Sequence, residues 1–158
     1  MAKITDDLIT QIKEEKIVRE REQAQKNHDM EVALMEQQAA RRRIEESWEK
    51  ARDVITESME ANNRKLADVD IELVFAQMDG PTRQGELKHW LLYFSANSQN
   101  MKHRVQVKFT PFLSGDLQAD FAIPNDSTAF ESRSYQYQGF SKEQTELIIN
   151  RMIERSIT

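Results

Sequence analysis

Between Met30 and Ile55 the apolar and small residues return at alternating steps of four and three. The series is Met30, Leu34, Gln37, Arg41, Ile44, Trp48, Ala51 and Ile55. A mean step of 3.5 residues draws one narrow seam along a helix, and a seam of that width calls for a second helix to cover it. The spacing predicts a coiled-coil helix from about Met30 to about Leu66, roughly 55 Å long at 1.5 Å per residue. Gln37 and Arg41 interrupt the apolar run; polar seam residues lower stability but fix register and partner number. Trp48 is too bulky for the centre of a tight two-stranded coil, which places it at a junction with a globular part or in a wider bundle.

Upstream, Ile4, Leu8, Ile9 and Ile12 form a short apolar stripe with Thr5 as a candidate cap. Lys13 to Asp29 is mostly charged and amide, and the seam does not extend back through it. Its residues are good helix formers, which favours a solvated helix over a hinge.

The period changes from 3.5 to 2 after Val69. Val69, Ile71, Leu73 and Phe75 alternate with polar residues up to the turn Asp79-Gly80-Pro81. Further strands are predicted over Leu87–Ser95, Arg104–Thr110 and Leu117–Ile123, with a weaker fifth near Arg133–Gln138. Short connections make an antiparallel meander the simplest topology. Ser141 and Gln144 follow Phe140 as a capping box opening a last amphipathic helix, with Leu147, Ile148, Ile149, Met152 and Ile153 as its stripe. The fold expected is α+β: a long N-terminal helix or coiled coil, a four- to five-stranded antiparallel sheet, and a C-terminal helix.

Odd-numbered strand residues form one apolar face: Ile71, Leu73, Phe75, Leu91, Tyr93, Val105, Val107, Phe109, Leu117, Ala119, Phe121 and Ile123. This face is the expected core. The even-numbered face mixes Glu72, Lys88, Gln106, Lys108, Gln118 and Asp120 with apolar Val74, Trp90, Leu92, Phe94 and Ala122. A loop centred near Ser98 sets Trp90 opposite Lys108 and Phe94 opposite Arg104, allowing cation–π pairs. Val74, Trp90, Leu92 and Phe94 are therefore candidates to dock either the chain's own first helix, the favoured reading, or a partner.

Composition sharpens the division. Residues 1–67 hold no Gly or Pro, while 68–158 hold all 4 Gly and all 3 Pro. Two parts follow, a helical extension over 1–67 and an α+β domain over 68–158. The first carries 13 Lys/Arg against 15 Asp/Glu and the second 9 against 12, so neither is basic. Nucleic acid and anionic lipid are thus disfavoured as partners. Cysteine is absent, so disulfides and thiolate metal sites are excluded. Mean hydropathy is −0.73, no run approaches a spanning helix and no signal peptide is visible, which makes a cytoplasmic protein without membrane contact the expectation.

Little in the chain points to chemistry. His28, His89 and His103 are scattered, and the expected register puts no Asp or Glu beside His89 to complete a triad or metal shell. A hydrogen-bonded structural His89 is favoured over a catalytic one. Adjacent acids such as Glu45-Glu46 splay by about 100° on a helix. Arg41, Arg42 and Arg43 fan out with Glu45, Glu46 and Glu49 within a turn, which favours ion pairing over contact with nucleic acid. Neither an enzyme nor a cofactor or metal site is expected.

VDIELVF (Val69–Phe75), GELKHWLLYFSA (Gly85–Ala96) and HRVQVKFTP (His103–Pro111) resemble the bacterial trypsin-co-occurring domain type 2, a small helix-plus-meander module of conflict systems. The resemblance covers Leu66 to Pro111. It implies a non-catalytic adaptor or regulator and carries over no catalytic residue; the long helix, fourth strand and last helix depart from that module. The leading expectation is a structural or adaptor protein that forms a homodimer or higher homo-oligomer through Met30, Leu34, Arg41, Ile44, Trp48 and Ile55. It would present its β-domain to a protein partner. The alternatives are a small acidic chaperone for an extended client segment and, behind it, a nucleic-acid-binding protein.

Overall fold

The computed structural model describes residues 2–126 and 128–158, with side chains from Thr5 onward. The fold is α+β, with one long helix, a five-stranded antiparallel sheet and a C-terminal helix. Helix α1 runs over Ala2–Leu66 without a break. Residues 13–29 are thus helical, and Thr5 lies inside the helix where a cap had been expected. Ile4 belongs to α1, but its side chain is outside the described residues. A single 3-10 turn, Ala67–Val69, ends at Asp70 in the left-handed region (φ 58°) and turns the chain into the sheet.

The strands are β1 Leu73–Gln77, β2 Trp90–Phe94, β3 Gln106–Pro111, β4 Asp116–Ala122 and β5 Glu131–Gln136. They pair in sequence order as an antiparallel meander. Helix α2, Lys142–Ile157, begins with the expected capping box, Ser141 and Gln144 bonding reciprocally. Its last turn is tied down as well: the Ser156 carbonyl accepts from the backbone N–H of Lys102 (2.8 Å) and His103 (3.0 Å). Those bonds satisfy a carbonyl that a helix end otherwise leaves unpaired.

Two compact units are present, residues up to Arg42 and residues from Arg43 on. The compositional boundary at 67/68 coincides with the end of α1, whereas the unit that holds the core starts at Arg43. The reason is burial. Trp48, Ala51, Ile55 and Ser58 of α1 are buried in that unit, together with Ile148, Ile149 and Met152 of α2.

Register corrects the expected faces. Trp90 lies opposite Phe109 and Leu92 opposite Val107, one residue away from the pairing that a loop centred on Ser98 implies. A one-residue slip moves every side chain of a strand to the other face. On the other side of β2, Leu73 faces Phe94 and Phe75 faces Leu92. Trp90, Leu92 and Phe94 therefore join Leu73, Val107, Phe109, Leu117, Ala119 and Phe121 on one core face. Leu91 and Tyr93, expected in the core, stand instead on the second face with Val74, Ala76, Lys108 and Asp120, all half-buried.

Candidate association surface

The seam residues divide in two. Ile55 is fully buried, and Trp48 lies in the same core with its ring 6.0 Å from that of Tyr137. Ile44 packs partly against this core. Ile44, Trp48 and Ile55 are therefore engaged by their own chain and are withdrawn from the self-association set. The physical reason is that a helix lying on a sheet needs the same 3-to-4 stripe as a helix lying on another helix. Trp48 does sit where the helix meets the globular part, as its bulk implied.

Met30 and Leu34 have no such cover. They are 70% and 56% exposed, and among the described residues every side chain from Thr5 to Arg43, Arg41 included, is exposed. Leu8, Ile9, Ile12, Ile17, Val18, Val32 and Met35 share this exposure. Local support along this stretch is modest. Lys16 pairs with Glu20 at 3.9 Å and Arg19 with Glu15 at 3.7 Å, while Gln23 and Gln25 donate to Asn27 and Asp29. Such i,i+4 pairs stabilise a solvated helix by about 0.2–0.5 kcal/mol each. Most helical stability in proteins comes from the packing of an apolar face, so the exposed apolar residues are where further stabilisation can come from.

The expected docking set is also split. Trp90, Leu92 and Phe94 face their own helices from the core face, whereas the favoured reading placed the first helix on the second face. Trp90 takes its cation from α1, with the Arg52 guanidinium 4.8 Å from the ring centroid; Lys108 lies on the opposite face. Arg52 is also 5.9 Å from Trp48, and its buried Nε has no hydrogen-bond partner. Of the four, Val74 alone stands on the second face, which α1 and α2 leave half-buried.

Two polar arrangements escaped the sequence. Asn63 of α1 bonds both backbone groups of Leu73: its Nδ2 donates to the carbonyl at 2.9 Å, and its Oδ1 accepts from the N–H at 2.8 Å. It thus closes the outer edge of the sheet where β1 begins. Nothing in the sequence singles out one amide on a polar helix for this. The second is Glu86, whose Oε2 lies 2.7 Å from His89 Nε2 and accepts from the Arg83 N–H at 3.1 Å. His89 is hydrogen-bonded and half-buried, as expected, and its partner Glu86 lies in the loop three residues back and not on a neighbouring strand. Glu–x–x–His is the one sequence signal that could have shown it.

The bond to His89 holds the Glu86 carboxyl below its usual range; partial burial opposes this, and the Arg83 N–H reinforces it. A carboxylate whose folded pKa is depressed contributes stability that is complete above its unfolded value and is lost as pH falls through the folded one. The turn at Arg83 is therefore expected to loosen on acidification below the usual carboxylate range. Protection of the Arg83 amide, taken relative to its intrinsic exchange rate at each pH, should fall there, and Glu86→Gln should remove that pH dependence.

Among the described residues no group of three His, Cys, Asp or Glu stands close enough to hold a metal ion, and no helix is long and apolar enough to cross a membrane. Comparison with protein-family models, with curated proteins and with solved structures gives no match for this chain.

Proposed function

We propose that this chain is a non-enzymatic structural or adaptor protein that self-associates through residues 5–43 of α1 and offers its β-domain to a protein partner. One observation carries the reading: a long stretch of α1 is exposed on all sides yet keeps Met30, Leu34 and other large apolar residues in water. A helix of this kind gains most from a second helix, and the simplest source is another copy of the same chain. Met30 and Leu34 are the remaining apolar members of the seam, with Gln37 and Arg41 as its polar positions.

The two apolar seam residues can be changed without touching the core. M30E/L34E should leave the Trp48 and Trp90 fluorescence of the folded domain unchanged while shifting the mass distribution in solution to smaller species. Identical distributions for the variant and the wild type would contradict the assignment of these residues.

A further inference from the structure

The two edges of the sheet are finished differently. In β1 the odd-numbered residues turn their backbone groups outward, as the bonds Ser95 N–H to Glu72 O and Met78 N–H to His89 O require. Asn63 occupies the first of these residues, Leu73, which leaves Phe75 and Gln77. On the other side, Phe112 N–H donates to Asp116 O and Tyr137 N–H to Gly115 O. With the β3–β4 and β4–β5 registers, these bonds fix the alternation. Odd residues of β5 bond to β4, and Ser132, Ser134 and Gln136 turn their N–H and C=O groups away from the sheet.

Natural sheets protect such an edge with lysine, proline, a bulge or a covering segment. In β5, Glu-Ser-Arg-Ser-Tyr-Gln, there is no lysine and no proline, and the bulge-like step in which Phe130 N–H bonds Phe121 O beside the Phe121–Glu131 pair lies ahead of residues 132–136. Its one cation, Arg133, is on the core side with Nε 2.7 Å from Glu131. Apolar surface lies alongside. Arg151 of α2 reaches Glu131 at 3.2 Å, and the Arg155 guanidinium is 4.9 Å from the ring of Phe130, so this flank of α2 borders β5. On the same flank, one turn before Arg151, Leu147 is 61% exposed, and Phe130 is exposed as well.

We propose that β5 is a second self-association site, at which two copies of this chain pair β5 against β5, antiparallel, about a two-fold axis at Ser134. The strand is complementary to itself in that register. Ser134 meets Ser134, Ser132 meets Gln136 and Arg133 meets Tyr135, so all three outward residues are used on both strands and no like charges are opposed. An axis at Arg133 would set guanidinium against guanidinium. Ser132 and Ser134 add little bulk on the open face, and exposed Phe130 and Leu147 of each copy border the joint. The site is built wholly from residues of the unit from Arg43 on. If both operate, each chain has two distinct two-fold contacts and assembles beyond a dimer; that consequence rests on the function proposed above.

Ser134→Pro removes the outward N–H at the axis, and a proline is tolerated on a sheet edge. Ser134→Thr keeps the N–H and serves as its control. Solution mass against concentration is compared for the wild type, S134P, S134T and M30E/L34E. S134P should raise the dissociation constant for association by about tenfold or more, S134T should match the wild type, and M30E/L34E should still dimerise. An S134P profile equal to that of the wild type, or a strictly monomeric M30E/L34E, overturns the β5 site. An M30E/L34E profile equal to that of the wild type overturns the helix assignment and leaves the β5 site standing. Amide exchange of the unaltered chain avoids any folding defect in S134P. Ser132, Ser134 and Gln136 should exchange about tenfold more slowly at high than at low micromolar protein, and exchange independent of concentration overturns the proposal.

Discussion

Ile55→Ala should lower the stability of the folded domain by about 2–5 kcal/mol, while Leu34→Ala should change it by no more than about 0.5 kcal/mol. Both residues occupy the same 3.5-residue seam. Ile55 is fully buried beneath the sheet, and its truncation removes apolar contact and leaves a cavity. Leu34 stands in water, 56% exposed. Urea unfolding followed by tryptophan fluorescence reads the right unit, since Trp48 and Trp90 both belong to the core or pack against it. Low protein concentration keeps association out of the comparison. Equal losses for the two variants would mean that the division of α1 between core and extension is wrong.

A larger effect is expected from charge placed on β2. Leu92→Lys should leave the domain unfolded or nearly so, because Leu92 is fully buried and an unpaired ammonium there costs several kcal/mol. That is comparable with the whole stability of a small domain. Leu91→Glu should cost less than about 1 kcal/mol, since Leu91 lies on the half-buried second face directly opposite Lys108, which an introduced carboxylate can pair. Circular dichroism and a urea midpoint for each variant decide the matter. The opposite ranking would restore the parity that strict odd–even alternation suggests.

Those two experiments mark where the sequence was legible and where it was not. Element type was clear, because the period changes abruptly from 3.5 to 2 at Val69 and the capping box at Ser141 is a local signal. The even residues of β2 were misplaced for a definable reason. Parity holds within a strand, but its phase between strands depends on the loop, and the loop from Ser95 to Arg104 is irregular. Ser98 bonds both backbone groups of Glu72, and Arg104 clamps the carbonyls of Ser95 and Ser98. No hairpin rule sets the register of such a connection.

The seam is a stripe along α1, but its spacing carries no information about what covers it. Ile44, Trp48 and Ile55 would present the same spacing to a sheet or to a second helix. Asn63 and Glu86 show a different limit. Asn63 works through the backbone of Leu73, which the packing of α1 against the sheet edge brings to it, whereas Glu86 acts within its own loop on Arg83 three residues back, and neither partner leaves a mark on composition or period.

The proposal as a whole comes down to the molecular mass of the unaltered chain, followed by light scattering from low to high micromolar concentration. Self-association through the exposed stretch of α1 requires a mass of at least twice the 18.5 kDa of one chain, approached as concentration rises. A value that stays at 18.5 kDa throughout would show that Met30, Leu34 and their apolar neighbours remain in water by themselves.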